Sequence, residues 1–400
     1  MPKLKLAYFG SPSFSAALLE KLILDKSLGI EIALVVTQPD KPVGRKMVMT
    51  PSPVKVVAQK YNIPVFDNLK FVYPEERREI RNLNSNLKLK ISNLDLCLVY
   101  AFGFKQLIPL DLLRAPKMQL FVNIHPSLLP RYRGSSPIAY PILLGENKTG
   151  VTLFVMDEKM DHGPIIAQEE MAITLTDVRS DMETKLTDLG FEMVKKFLNS
   201  LTREPVNALT YKPQLHKQST RAPYMTKQDG FIPLPVLQKA LKNEPLTLQE
   251  LPQIIRKYVE KYYVEQAKGA DSSTWHAGPP TIETPSTSTS LMHVREDAPE
   301  RKKVQNLLQR SSKTIYDFWR GMHPWPGLWT LIEGEPPRLD TLQNDKTSEV
   351  KLAGKRLKII DMEYHVETGH APSLRIKSVQ LEGKSPVDFP TFQKAYNIFT

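Results

Sequence analysis

Leu120-Phe121-Val122-Asn123-Ile124-His125-Pro126-Ser127-Leu128-Leu129-Pro130 sets an apolar run directly against two polar side chains spaced one residue apart. In an extended strand, side chains at i and i+2 share a face, so Asn123 and His125 project together. The run is apolar to its carboxyl end, then polar, then interrupted by prolines. Open α/β sheets place their sites at that edge. An amide there can donate to an oxyanion, and an imidazole can move a proton near neutral pH.

The flanking sequence predicts the sheet around this strand. Residues 4–9, 30–37 and 94–101 read as further strands, and residues 14–24 and 54–61 as helices, the second started by Pro53. The unbroken apolar run 94–101 suits a strand covered on both faces. Strands alternating with helices predict an α/β fold with a doubly wound, mostly parallel sheet. Gly10 is a single glycine where a dinucleotide fingerprint needs three, so no nicotinamide or flavin cofactor is expected. The lone cysteine, Cys97, excludes an internal disulfide and a cysteine metal cluster, and reads as a small buried hydrophobe.

Four hundred residues give two or three domains. A net charge of +11 and a pI near 9.4 favour an acidic partner such as nucleic acid. No apolar stretch approaches the ~20 residues that span a membrane. Residues 212–228 carry Lys212, Lys217, Arg221 and Lys227 among few apolar positions and predict a basic linker on the surface. Residues 234–267 read as helical and amphipathic, 269–290 as disordered from their Ser, Thr, Pro and Gly content, and 302–308 as helical. Residues 328–332 and 357–362 read as strands, with Trp319, Trp325 and Trp329 as core.

Asn123-x-His125, then Ser127-Leu128-Leu129-Pro130, then an aspartate before Gly163 resembles the core signature of the formyltransferases that use 10-formyltetrahydrofolate. Three further segments are similar to the tRNA-directed branch of that family. They are Ala7-Tyr8-Phe9-Gly10-Ser11-Pro12-Ser13-Phe14, Thr37-Gln38-Pro39-Asp40-Lys41-Pro42-Val43-Gly44-Arg45 and His323-Pro324-Trp325-Pro326-Gly327. Pro126 instead resembles the purine-pathway branch. The resemblance runs almost continuously over residues 1–228 and resumes near 301. It implies a Rossmann-like catalytic domain over 1–211, the basic linker 212–228 and a C-terminal barrel of OB type over 301–400. Residues 229–300 form a family-atypical insertion, partly helical and partly disordered at about 269–299.

The same resemblance implies transfer of a formyl group from 10-formyltetrahydrofolate to the α-amine of methionyl initiator tRNA. Asn123, His125 and Asp161 would be catalytic, with Asp157 the competitor of Asp161 on the same turn. His162 reads as a solvent-facing substitution. Phe102, Gly103, Ser127, Leu128, Leu129 and Pro130 would hold the folate. Lys41, Arg45, Lys46, Lys217 and Arg221 would meet the tRNA. No serine or cysteine nucleophile is needed, since the amine itself attacks, and no metal is needed either. A monomer in the mitochondrial matrix, of fungal type, is expected, with any transit peptide absent from this chain; a bacterial member would be cytoplasmic. A formyltransferase acting on a small amine (a purine precursor or a sugar nucleotide) and a non-catalytic RNA-binding relative are the alternatives. The Pro- and Gly-rich loop 38–50, which carries Lys41, Arg45 and Lys46, and the extra C-terminal domain speak against the first, and intact Asn123, His125 and Asp161 against the second.

Overall fold

A computed structural model of the chain describes residues 3–44, 46–67, 87, 90–91, 93–101, 120–201, 210–264, 299–332, 354–366, 371–396 and 398–399. They group into two compact units, one of residues 1–140 with 147–224, the other of 141–146 with 225–400.

The first unit is built on β1 Leu4–Gly10, β2 Ile30–Val36, β3 Lys41–Val43, β4 Val48–Thr50, β5 Val65–Phe66, β6 Leu96–Tyr100, β7 Phe121–His125, β8 Lys148–Val155 and β9 Ile165–Ala172. Seven of these form one sheet in the order β5-β2-β1-β6-β7-β8-β9. β5 to β7 are parallel, while β8 and β9 add antiparallel strands at one edge. The predicted strands fall within a residue or two of those observed. Every residue of β6 is buried, Cys97 included, as a strand covered on both faces requires. Burial pushes the Cys97 thiol well above its ordinary range. One face of the sheet packs Ala7, Phe9, Val36, Val99 and Phe121 with Leu87, Ile91 and Leu94.

The helix Ser13–Leu24 is pinned to the carboxyl edge of this sheet. The Tyr8 hydroxyl donates to Ser15 O, and Ser15 Oγ donates to Tyr100 O. A Cβ on Gly10 would lie 2.1 Å from Ser15 Oγ, so Gly10 is there for this close approach. The helix Pro53–Lys60 starts at Ser52, whose Oγ accepts from Lys55 N, with Pro53 in its first turn.

The second unit carries the antiparallel sheet expected of a small barrel, β10 Leu328–Leu331, β11 Arg356–His365, β12 Ser373–Leu381 and β13 Val387–Asp388 in sequence order. Trp319 and Trp329 are buried in its core, as expected. Trp325 is not: it is 39% exposed. Prolines on both sides place it in the turn after helix Ser311–Met322 and outside the sheet. The expected helical stretch 234–267 is broken into Leu234–Leu241, Leu248–Glu250, Gln253–Val259 and Glu260–Val264. The first break falls where Asn243 takes a left-handed conformation, and Pro245 and Pro252 follow. The stretch predicted to be disordered, 269–299, lies outside the described residues except for its last one. Among the described residues no helix is long and apolar enough to cross a membrane.

Candidate active site

β7 brings Asn123 and His125 to the carboxyl edge of the sheet, on one face as their spacing requires. Asn123 stands in register with Val99 of β6 and Phe154 of β8, and His125 with Thr152 of β8. Asn123 is half-buried, and among the described residues its amide makes no hydrogen bond. His125 is only 4% exposed. Its Nε2 lies 3.0 Å from Tyr132 O. A carbonyl can only accept, so Nε2 carries the proton and Nδ1 is left for other work. Nδ1 faces Asp161 Oδ2 at 3.8 Å.

Asp161 sits on a turn that is held from several sides. Its Oδ2 accepts from Gly134 N at 2.7 Å. Its φ is +50°, as is rare for a residue with a Cβ, and Tyr132, whose carbonyl accepts the His125 hydrogen bond, has φ +61°. Such conformations persist only where surroundings fix them. At Asp161 a fixing group is Gln214, whose Nε2 donates to Asp161 O at 3.1 Å and to Gly163 O at 2.7 Å. Gln214 Oε1 in turn accepts from Arg133 at 2.6 Å. A Cβ at Gly163 would come within 1.8 Å of Val155 O, so only glycine closes this turn.

Residues 210–222 therefore do more than lie on the surface. Lys212 exchanges two backbone hydrogen bonds with Ile165, and Thr220 Oγ1 accepts from Tyr132 N. Gln214, Thr220 and Ala222 are buried. The segment braces the loop that carries the His125 partner on one side and the Asp161 turn on the other. Replacing Gln214 with leucine removes three hydrogen bonds from a buried position. The expected loss is about 1–3 kcal/mol of stability, since the groups left behind lose their partners. Denaturant unfolding of the variant measures this, and an unchanged midpoint would show that the brace carries no stability.

Asp157 is committed elsewhere. It accepts from Lys159 N at 2.9 Å and lies 2.6 Å from His162 Nδ1. His162, expected to face solvent, is instead held by this carboxylate and stacked on His216 with ring centroids 4.0 Å apart. The short reach from the same turn to Asp157 draws its ring inward. His216 Nδ1 lies 2.8 Å from Arg133. A guanidinium only donates, so Nδ1 accepts and His216 is neutral in this arrangement. Desolvation, together with the neighbouring His162 and Arg133, holds its pKa below the ordinary imidazole value.

The loop after β7 is tightly built. Ser127 is buried, and its Oγ donates to Arg131 O at 2.9 Å. Leu129 is buried with Phe154 and Ile165, and its carbonyl accepts from Gln168. Leu128 and Pro130 are half-buried. Phe102 and Gly103 lie outside the described residues.

β3 and β4 pair as a hairpin. Lys41 and Lys46 are exposed on it, and Val43, Met47, Val48 and Met49 are each more than half exposed. Arg45 lies outside the described residues. Lys55 anchors the base of the hairpin through Asp40 and Asp67, both at 2.7 Å, and these hydrogen bonds raise its pKa. Lys217 and Arg221 are exposed on the brace. Among the described residues no cluster of His, Cys, Asp and Glu is arranged to hold a metal ion.

Sequence comparison places this geometry among known proteins. A family model described as formyl transferase matches residues 4–198, and one described as formyl transferase, C-terminal domain, matches 303–397. The chain is 40% identical over 248 residues to the methionyl-tRNA formyltransferase of Staphylococcus epidermidis, covering 62% of this chain and 74% of that protein. It is 34% identical over 288 residues to the methionyl-tRNA formyltransferase of Enterococcus faecalis, covering 72% and 83%. Among solved structures, phosphoribosylglycinamide formyltransferase from Bacillus halodurans is 28% identical, with a TM-score of 0.41 over 51% of this chain and 98% of that one.

Proposed function

This chain belongs to the formyl transferase family, among the methionyl-tRNA formyltransferases, and from that premise we propose that it formylates the α-amine of methionyl initiator tRNA. The observation that carries the reading is the grouping of His125 with Asp161, with Asn123 on the same strand at the sheet's carboxyl edge.

The donor, 10-formyltetrahydrofolate, supplies the formyl carbon when bound. The chain fits it in one specific respect: the Asn123 amide has no partner among the described residues and is available to a ligand oxygen. Asn123 donates to the formyl oxygen as it gains charge during attack by the amine. With His125 Nε2–H on Tyr132 O, Nδ1 donates toward the same oxygen when the ring is protonated. Asp161 at 3.8 Å stabilises a proton at Nδ1; it would take one proton from the attacking nitrogen and return one to the folate nitrogen as the bond between that nitrogen and the formyl carbon breaks, directly or through water. The apolar Leu128 and Leu129 suit a planar folate ring beside this edge. Lys41 and Lys46 on the hairpin, Arg45 beside Lys46 in sequence, and Lys217 and Arg221 supply cations for the tRNA backbone.

We place the protein, as a monomer, in the mitochondrial matrix; imaging the tagged full-length gene product tests the compartment. The function is tested by formylation of methionine-charged initiator tRNA, with free methionine and purine-precursor amines as controls. Formyl groups are expected on the tRNA alone. Equal transfer to a small amine, or none to the tRNA, would overturn the reading.

A further inference from the structure

His162 follows Asp161 in sequence and its imidazole stacks on that of His216, yet the acyl-transfer chemistry makes no use of either ring. Their planes differ by 2° and their centroids are 4.0 Å apart. Each ring is oriented by one charged partner, His162 by Asp157 and His216 by Arg133. Neither can turn without giving up that partner. His162 covers one face of His216, and His216 is exposed, so what it presents to solvent is the opposite face and the ring edge. Among the described residues no further ring packs there.

The surroundings are cationic. Lys159 and Arg133 act electrostatically on His216, and Arg221 acts on Arg133. Lys217 is the next residue along the chain and is exposed. Of the two nearby carboxylates, Asp157 is already engaged by His162 and Lys159 N, and Asp161, which also acts on Arg133, accepts from Gly134 N. A flat, neutral, pre-oriented aromatic face bordered by cations has the chemistry of a single-stranded RNA contact. Splayed bases stack on aromatic side chains, histidine included, while neighbouring cations neutralise phosphates.

We propose that the His162–His216 pair is a stacking platform for an unpaired base at the 3′ end of the charged tRNA, with Lys159 and Lys217 supplying cations for the adjoining phosphates. The proposal rests on the reading of a tRNA as the formyl acceptor, and adds which element of the chain holds its end. The amino acid is esterified to the last nucleotide, so a base held beside Asp161 brings the reacting amine to the same turn. Because the two rings arise from the Asp161 turn and from the brace around it, the platform shares the rigid setting of the reacting groups.

The test uses the full chain and uncharged initiator tRNA, either complete or lacking its unpaired 3′-terminal nucleotides. His216→Ala is expected to weaken binding of the complete tRNA about tenfold, the order of one lost base–aromatic stack. It is expected to leave the truncated tRNA unaffected. His216→Phe keeps a flat ring and is expected to bind the complete tRNA within about twofold of wild type. An equal loss on both tRNAs, no loss on either, or a His216→Phe variant as weak as His216→Ala would overturn the platform. Formylation of charged initiator tRNA by wild type is measured alongside. Its absence would count against the proposed function, whereas its presence without a selective loss in His216→Ala would overturn the platform alone.

Discussion

Asp161→Asn is expected to lower turnover by roughly 10²–10⁴, the range that a positioned proton-transferring group supplies. The substitution is nearly isosteric. The carboxamide oxygen can still accept from Gly134 N, the bond that Asp161 Oδ2 makes at 2.7 Å. Asparagine also tolerates the left-handed backbone that this position requires at φ +50°. The turn is further held by Gln214 through the backbone carbonyls of Asp161 and Gly163, which the change does not touch. What disappears is one negative charge 3.8 Å from His125 Nδ1, in a side chain only 11% exposed, where solvent screens it weakly. Single-turnover formylation measures the loss, and thermal unfolding checks that the turn survives. Turnover within about threefold of wild type would remove Asp161 from the chemistry.

The parts of this site that were legible in the sequence are those with local causes. The strands around β6 and β7 announce themselves as apolar runs between turns, and Asn123 and His125 follow from a two-residue period. Asp161 was placed by its spacing to Gly163 within a resemblance. The structure adds a steric reason for that glycine, since a side chain there would strike Val155 O.

The brace was not legible. Gln214 meets Asp161 across 53 residues, and Thr220 meets Tyr132 across 88. Both sit in a segment without apolar periodicity, read for its charges alone, and no local signal marks either. The stacking of His162 on His216 escaped for the same reason: a ring packed on a partner 54 residues away looks, in sequence, like any exposed polar residue. Trp325 shows the opposite error. A large apolar side chain usually belongs to a core, but here the backbone of a proline-flanked turn decides where it lies.

Asn123→Ala separates chemistry from architecture more cleanly than any other change in this site. The side chain is half-buried and makes no hydrogen bond among the described residues, while the backbone ladder to Val99 and Phe154 does not depend on it. The expected cost in stability is therefore small, within about 1 kcal/mol. The expected loss in turnover is roughly 10²–10³, that of one preorganised donor to a developing oxyanion. Because the contact strengthens only as charge develops, kcat and kcat/KM should fall together, with KM for either substrate little changed. Asn123→Asp sharpens the argument. It keeps the shape but turns a donor into an acceptor-only group when ionised, so it should be at least as inactive as alanine. Combined with Asp161→Asn, the loss should be smaller than the product of the two single losses, because both groups act as a unit through the same developing oxyanion and His125. Steady-state kinetics of the three variants and the pair decide the matter. Losses that multiply would mean that the two residues contribute independently rather than as a coupled unit, and a stable Asn123→Ala enzyme with normal turnover would leave the unpartnered amide without a role in the reaction.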